Sequence, residues 1–208
     1  AESFAAARAS VLDVLKDCRV IDALSSYTIY QKGLIDRPVV SVDRIDTFIK
    51  AKAPHLWAYY CTVQALEVPN RFIAMPSSRN RILGMLLYYF DIEGFLHWGF
   101  NFYNTQYSVA HIDPYRVTDA GAAFPSGDPF LVYPAPDGTA YESIRGVILQ
   151  KALNDFRALQ LLEQKVGRKR VVELLQGLVG RTLSFCTYPR NHDFFDQMRK
   201  TIYATMRI

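Results

Sequence analysis

The stretch 56–100 constrains the fold more than any other part of the chain. A short aromatic run, Leu56-Trp57-Ala58-Tyr59-Tyr60-Cys61, is followed by a helix-length segment and then by a second short run, Phe95-Leu96-His97-Trp98-Gly99-Phe100. Short runs rich in aromatic residues and bounded by turn residues (here Pro54 and Pro69-Asn70) read as strands. Between them, residues 79–90 have a nearly continuous apolar centre, Ile82-Leu83-Gly84-Met85-Leu86-Leu87, so this helix must be well covered; Gly94 suits the turn that follows it. A strand, a helix and a strand over this length form a parallel pair joined by a right-handed crossover. The apolar run 95–100 fits a strand covered on both faces. In such folds the loops leaving the C-terminal ends of the strands carry the chemistry.

The flanking segments extend this rhythm. Residues 1–15 have helical periodicity, with Phe4, Val11, Leu12, Val14 and Leu15 on one broad face. Short strands are expected at 18–24 and 39–43. Residues 101–143 break the pattern with Asn, Tyr, Asp, Gly and Pro. A structureless connection of that length is uncommon in a compact domain, so an ordered loop over a cleft is expected, with a short extra strand at 130–133. From Ser143 the chain turns helical. Residues 144–165 place Val147, Ile148, Leu149, Leu153, Phe156, Leu159, Leu161 and Leu162 on one stripe, ended by Gly167. A second helix is expected at 171–178, closed by Gly180. A third, capped by Asn191, reaches to about residue 206. No internal repeat is visible.

Composition narrows the function classes. Half of the 208 residues are hydrophobic and 21% are charged, which is globular and not disordered. The net charge of +4 is modest, its basic residues fall within helical patterns, and no recognition element accompanies them; nucleic acid is not an expected partner. The apolar stretches are too short for membrane insertion. Cys18, Cys61 and Cys186 have no short spacing, so neither a metal cluster nor a disulfide scaffold is expected, and Cys18 and Cys61 read as buried thiols. His55, His97, His111 and His192 match no zinc signature, and His97 reads as making a buried hydrogen bond. Without a Walker loop, dinucleotide fingerprint or lipase-type elbow, no cofactor is expected. A first residue that is not Met, already within a helical pattern, suggests a processed chain or a fragment. Extracellular, periplasmic and cytoplasmic locations all stay open.

Several pieces, in order, resemble a known family. They are the 56–61 run; Arg81-Ile82-Leu83-Gly84 with Gly94-Phe95-Leu96-His97-Trp98-Gly99; Asp113-Pro114; Leu131-Val132-Tyr133-Pro134; and Ser143-Ile144-Arg145 followed by Asp155-Phe156 and Leu159. Over roughly residues 18–165 the chain resembles the domain of unknown function family 4091, the C-terminal barrel part of proteins similar to family 123 glycoside hydrolases. The resemblance implies an α/β fold, the C-terminal portion of a TIM-barrel-like (β/α) domain with a C-terminal helical annex. Residues 1–165 would form the partial barrel with its long loop at 101–143, and 166–208 a helical extension packed on it. It also implies a β-N-acetylgalactosaminidase-like, substrate-assisted reaction on N-acetylhexosamine-containing glycans. An adjacent Asp-Glu pair on an earlier strand would orient the acetamido group and supply the proton. The chain contains no adjacent Asp-Glu, so no residue inherits that role, and the chain alone is expected to be inactive. Val147, Gln150, Lys151 and Ala152 also stand where the family carries Glu, Arg, Asp and Gly. The alternative is a non-catalytic carbohydrate-binding or structural barrel module.

The expected ligand is therefore a glycan or sugar. A sugar site combines an aromatic platform for the apolar pyranose face with polar groups for its hydroxyls. Trp98, at the end of a strand, is the platform candidate, with core packing as its structural alternative. Asn101 and Tyr103 on the exit loop, Tyr60 near the functional end of its strand, Asp113 and Tyr133 complete the substrate-binding set. Asp22, Asp43, Asp46, Asp113, Asp119 and Asp128 are the carboxylates near strand ends, none with a partner in sequence, and no catalytic residue can be chosen among them. Arg81 and Arg145 read as structural anchors seeking a carboxylate or carbonyl. Exposed strand edges would call for a missing N-terminal barrel portion, a partner chain or a homo-oligomer.

Overall fold

The computed structural model describes residues 2–16, 18 and 21–207. Its centre is a parallel sheet of four strands in sequential order: β1 (Ile21–Asp22), β2 (Arg37–Ser41), β3 (Trp57–Tyr60) and β4 (Gly94–His97). The register runs Ile21 to Arg37, Val39 to Trp57 and Trp57 to Gly94, ending with Tyr60 beside His97. Parallel strands in sequence order make a curled half-barrel. Around it lie α1 (Glu2–Leu12), α2 (Tyr27–Gln31), α3 (Asp46–Lys50) and α4 (Ser77–Tyr89), and a C-terminal cluster of α5 (Ile144–Val166), α6 (Arg168–Val179) and α7 (Asp193–Met206).

One apolar core joins these layers. Val40, Ala58 and Tyr60 from the sheet meet Ile82, Leu83 and Leu86 of α4, and the same core continues through Leu159, Val171, Phe195 and Ile202. The burial alternation along β3 follows the strand period: Ala58 and Tyr60 lie under the helices, while Trp57 and Tyr59 are only partly buried on the opposite face. Helix α4 is buried along almost its whole length, as its apolar centre requires.

Helices α4 and α5 run side by side in the same direction. Asn80 Nδ2 donates to the Arg145 carbonyl near their N-termini, and Tyr88 packs edge-on to Phe156 further along. Between these points the backbones nearly touch at Gly84, where a Cβ would fall 1.9 Å from the Ala152 carbonyl oxygen. The buried Asp155 carboxylate accepts from Arg81 Nε at 3.0 Å and Arg199 Nε at 2.9 Å, tying α4, α5 and α7 together. Arg168 Nη2 donates to the Tyr88 carbonyl at 2.7 Å, satisfying a carbonyl at the C-terminal end of α4 with a cation, the favoured charge there.

Several expectations change in detail. Strand β4 stops at His97, and its residues are partly rather than fully buried, because β4 is an edge strand. The strand expected at 18–24 is Ile21–Asp22; Arg19 and Val20 lie outside the described residues. Helix α1 forms but buries no residue: Phe4 and Leu12 are half-covered where they face Leu34 and Ile35 across a pocket, and Val11 stays 43% exposed. Cys18 is exposed and Cys61 only partly buried, with its thiol donating to Gln64 Oε1. The extra strand is β5 (Val132–Pro134), paired antiparallel with β6 (Ala140–Glu142). Its turn holds Asp137-Gly138, a hairpin signal present in the sequence.

Candidate functional site

The C-terminal ends of β3 and β4 open onto two long segments, 61–76 and 98–131, and these meet around one buried ion pair. Arg71 and Asp128 have wholly buried side chains, with Arg71 Nη1 3.2 Å from Asp128 Oδ1. Asp128 also accepts from Thr62 Oγ1 at 2.7 Å and from the Trp98 indole N–H at 3.2 Å. Arg71 Nη2 donates to the main-chain carbonyls of Trp98 (2.8 Å) and Asp128 (2.7 Å). The guanidinium lies 5.1 Å from the centre of the Tyr60 ring, a cation–π placement. Buried charge is tolerated here because each ion is paired and further hydrogen-bonded.

Trp98 continues the line of β4 and is partly buried. Its ring meets Phe124 edge-on at 5.4 Å between centroids, and Phe102 at 5.9 Å. The indole orientation is set from beneath by Asp128. Asn101 is exposed and bridges to Phe130. Tyr103 packs on Phe130 and donates its hydroxyl to the Val132 carbonyl at 2.8 Å. Tyr133 joins this second aromatic group through Phe130 and Tyr115. Asp113 is exposed, and its carboxylate accepts from the Tyr115 N–H, which makes a turn. Tyr60 lies on the helix side of β3, completely buried, its hydroxyl directed at Asn80 Oδ1; burial pushes its pKa up to about 12. The loop thus brings Trp98, Asn101, Tyr103 and Tyr133 to one end of the sheet, with Asp113 at its outer edge and Tyr60 behind.

A pocket of about 360 Å³ lies beside this group, lined by Arg71, Asn80, Tyr133, Ser143, Arg145 and Ile148 among others. Arg145, buried at the first turn of α5, donates to the Gly127 carbonyl. Gly127 has a φ of +85°, and a Cβ there would sit 2.8 Å from Arg145 Nη1, so only glycine admits this approach. The anchoring carbonyl expected for Arg145 is this one, and the carboxylate expected for Arg81 is Asp155. His97 differs from expectation. Both of its ring nitrogens are buried without a partner, because Tyr60, Phe95 and Phe100 surround it. Burial, helped by the Arg71 and Arg145 charges, lowers its pKa to about 3, so the ring is neutral.

Asp128 was visible in sequence as one carboxylate among several, but Arg71 and Asn80 carried no local signal. They act through partners up to 57 and 65 positions away. Glu93 sits at the opposite end of the sheet, paired with His55. Among the described residues, no group of three or more His, Cys, Asp or Glu is placed to hold a metal ion, and no helix is long and apolar enough to cross a membrane.

Residues 1–162 match the family described as glycoside hydrolase 123, catalytic domain. No curated protein matches the chain. The family match corrects the resemblance to the domain of unknown function family 4091 as a C-terminal barrel part covering 18–165. The match is to the catalytic domain itself, and it takes in α1 and β1. Helix α1 lay outside the resemblance because it carries periodicity but no chemical motif.

Proposed function

The chain belongs to the glycoside hydrolase 123 catalytic-domain family, and from that premise we propose that it contributes one wall of a cleft for N-acetylhexosamine-containing glycans. The observation that supports this reading is the aromatic and polar group at the C-terminal end of β4. Trp98 offers a partly open ring held by Asp128, and Asn101 and Tyr103 follow on the same loop. A pyranose stacks on such a ring while its hydroxyls and acetamido group meet the polar rim. Tyr133 and Asp113 line the outer side. Tyr60 sets the floor through Arg71 instead of touching the sugar.

The chemistry of the family resemblance is retaining and substrate-assisted, with an acidic pair orienting the acetamido group. No adjacent Asp-Glu occurs in these 208 residues, and the best-placed carboxylate, Asp128, is sealed and neutralised by Arg71. A general acid must reach the leaving oxygen, and Asp128 cannot. Binding without turnover is therefore the expected behaviour of this chain by itself.

The test is a titration with N-acetylgalactosamine, followed by tryptophan fluorescence, alongside an assay with an aryl N-acetylgalactosaminide. Saturable binding that weakens about tenfold in Trp98→Ala, a loss of about 1.4 kcal/mol, supports the platform. Binding indifferent to Trp98→Ala, or no binding at millimolar sugar, refutes it.

A further inference from the structure

Arg145 is a buried cation in the wrong place. It is 8% exposed, and it stands in the first turn of a 23-residue helix, where the backbone already presents positive potential. Its ordered partner is a neutral carbonyl, that of Gly127. Its Nη2 has no hydrogen-bond partner, and no carboxylate lies within ion-pair distance of it among the described residues. Arg71 lines the same pocket with its Nε also unpartnered. Asp128 neutralises one of these two guanidinium groups, so one positive charge is left without a counter-ion.

The surroundings add to that charge. Because α4 and α5 run in the same direction, both begin at this pocket, with Ser77 and Asn80 from the first turn of α4 and Ser143 and Ile144 from the start of α5. Two helix N-termini and an uncompensated guanidinium converge on one cavity, an arrangement that favours a negative ligand. Burial, with a smaller push from the Arg71 charge, pulls the Arg145 pKa down; the nearby Tyr133 phenol opposes it.

We propose that this pocket is a subsite for an anionic group, a carboxylate or a sulfate, held by Arg145 with Arg71 behind it. A guanidinium pairs with either anion through two parallel N–H donors, which would use the idle Nη2. That the anion is borne on a glycan, as a uronate or a sulfated hexosamine, rests on the carbohydrate reading above; the anion site itself does not.

Sulfate titrated at constant ionic strength against chloride, by calorimetry, tests the site directly. The expected result is saturable binding that weakens at least tenfold in Arg145→Met and is unchanged in Arg170→Met, an exposed arginine on α6. Ile148→Glu is the second variant. Position 148 lines the pocket one helical turn from Arg145 and would supply the missing counter-ion from within. It should raise the melting temperature and abolish sulfate binding, and it carries the test even if Arg145→Met fails to fold. Non-saturable binding, or binding equal in all variants, overturns the proposal.

Sugar arms then identify the source. A sulfated N-acetylgalactosamine that binds at least tenfold tighter than its neutral parent puts the anion on a glycan. Arg145-dependent sulfate binding without any sugar binding keeps this site and removes the carbohydrate reading. Neutral sugar bound at Trp98, with no response to sulfate, does the reverse.

Discussion

Replacing Asp128 by Asn removes one charge from a site that water does not reach. The amide keeps the size of the carboxylate, and its one oxygen can still accept from the Trp98 indole while the Thr62 hydroxyl turns to accept from the new amide N–H, so shape changes little. What is lost is the counter-ion of Arg71, whose side chain is completely buried. Breaking one side of a buried pair costs about 3–5 kcal/mol, because the remaining ion keeps its desolvation penalty and loses its attraction. For a chain of this length that is a fall in melting temperature of roughly 6–20 °C. Urea unfolding followed by tryptophan emission measures it. The double replacement Arg71→Met/Asp128→Leu removes both ions and should recover a large part of the loss, the signature of coupled neighbours. A single-variant cost below about 1 kcal/mol, or a double variant as unstable as the sum of its parts, would refute the view that this pair is a desolvated unit.

Two further perturbations probe other contacts. Gly84→Ala puts a methyl 1.9 Å from the Ala152 carbonyl oxygen, which belongs to helix backbone and cannot rotate away; a loss of about 2–3 kcal/mol in chemical denaturation is expected, and a neutral result would mean that α4 and α5 do not touch there. His97 has a folded pKa of about 3 against 6.5 for the unfolded chain, so the unfolded state takes up a proton that the folded state refuses. Its contribution is complete above pH 6.5 and is lost as pH falls toward 3, amounting to about 2 kcal/mol by pH 5. His97→Leu should flatten that part of the stability–pH curve; an unchanged curve would show that His97 is not the group responsible.

The parts legible in sequence were those whose signal is local. The aromatic run at β3, the apolar helix α4 and the stripe of α5 each bury a face that their own spacing announces, and the structure places them within a few residues of expectation. Helices α2 and α3 passed unseen because each is only five residues long and lacks a side-chain cap. Trp98, the proposed platform, could be picked out from its place at a strand end. The Arg71–Asp128 pair could not, since neither residue differs locally from an ordinary surface charge. Only closure of the long loop brings them together. His97 misled for a related reason: alternation in a strand predicts burial but not the ring-lined surroundings that deny it a partner.

Arg71 also bears on how this family member could change over time. One nitrogen of its guanidinium holds the carbonyl where the chain leaves the sheet at Trp98 and the carbonyl where it returns at Asp128. The main chain is stitched again just above, where the Phe102 N–H meets the Pro129 carbonyl and the Leu131 N–H meets the Phe100 carbonyl. The excursion between is thus a tied-off module. Its length could grow or shrink at small entropic cost, since closure depends only weakly on loop length once the ends are pinned. The wall proposed to meet a ligand can therefore be rewritten by insertion or deletion while the half-barrel beneath keeps its sequence.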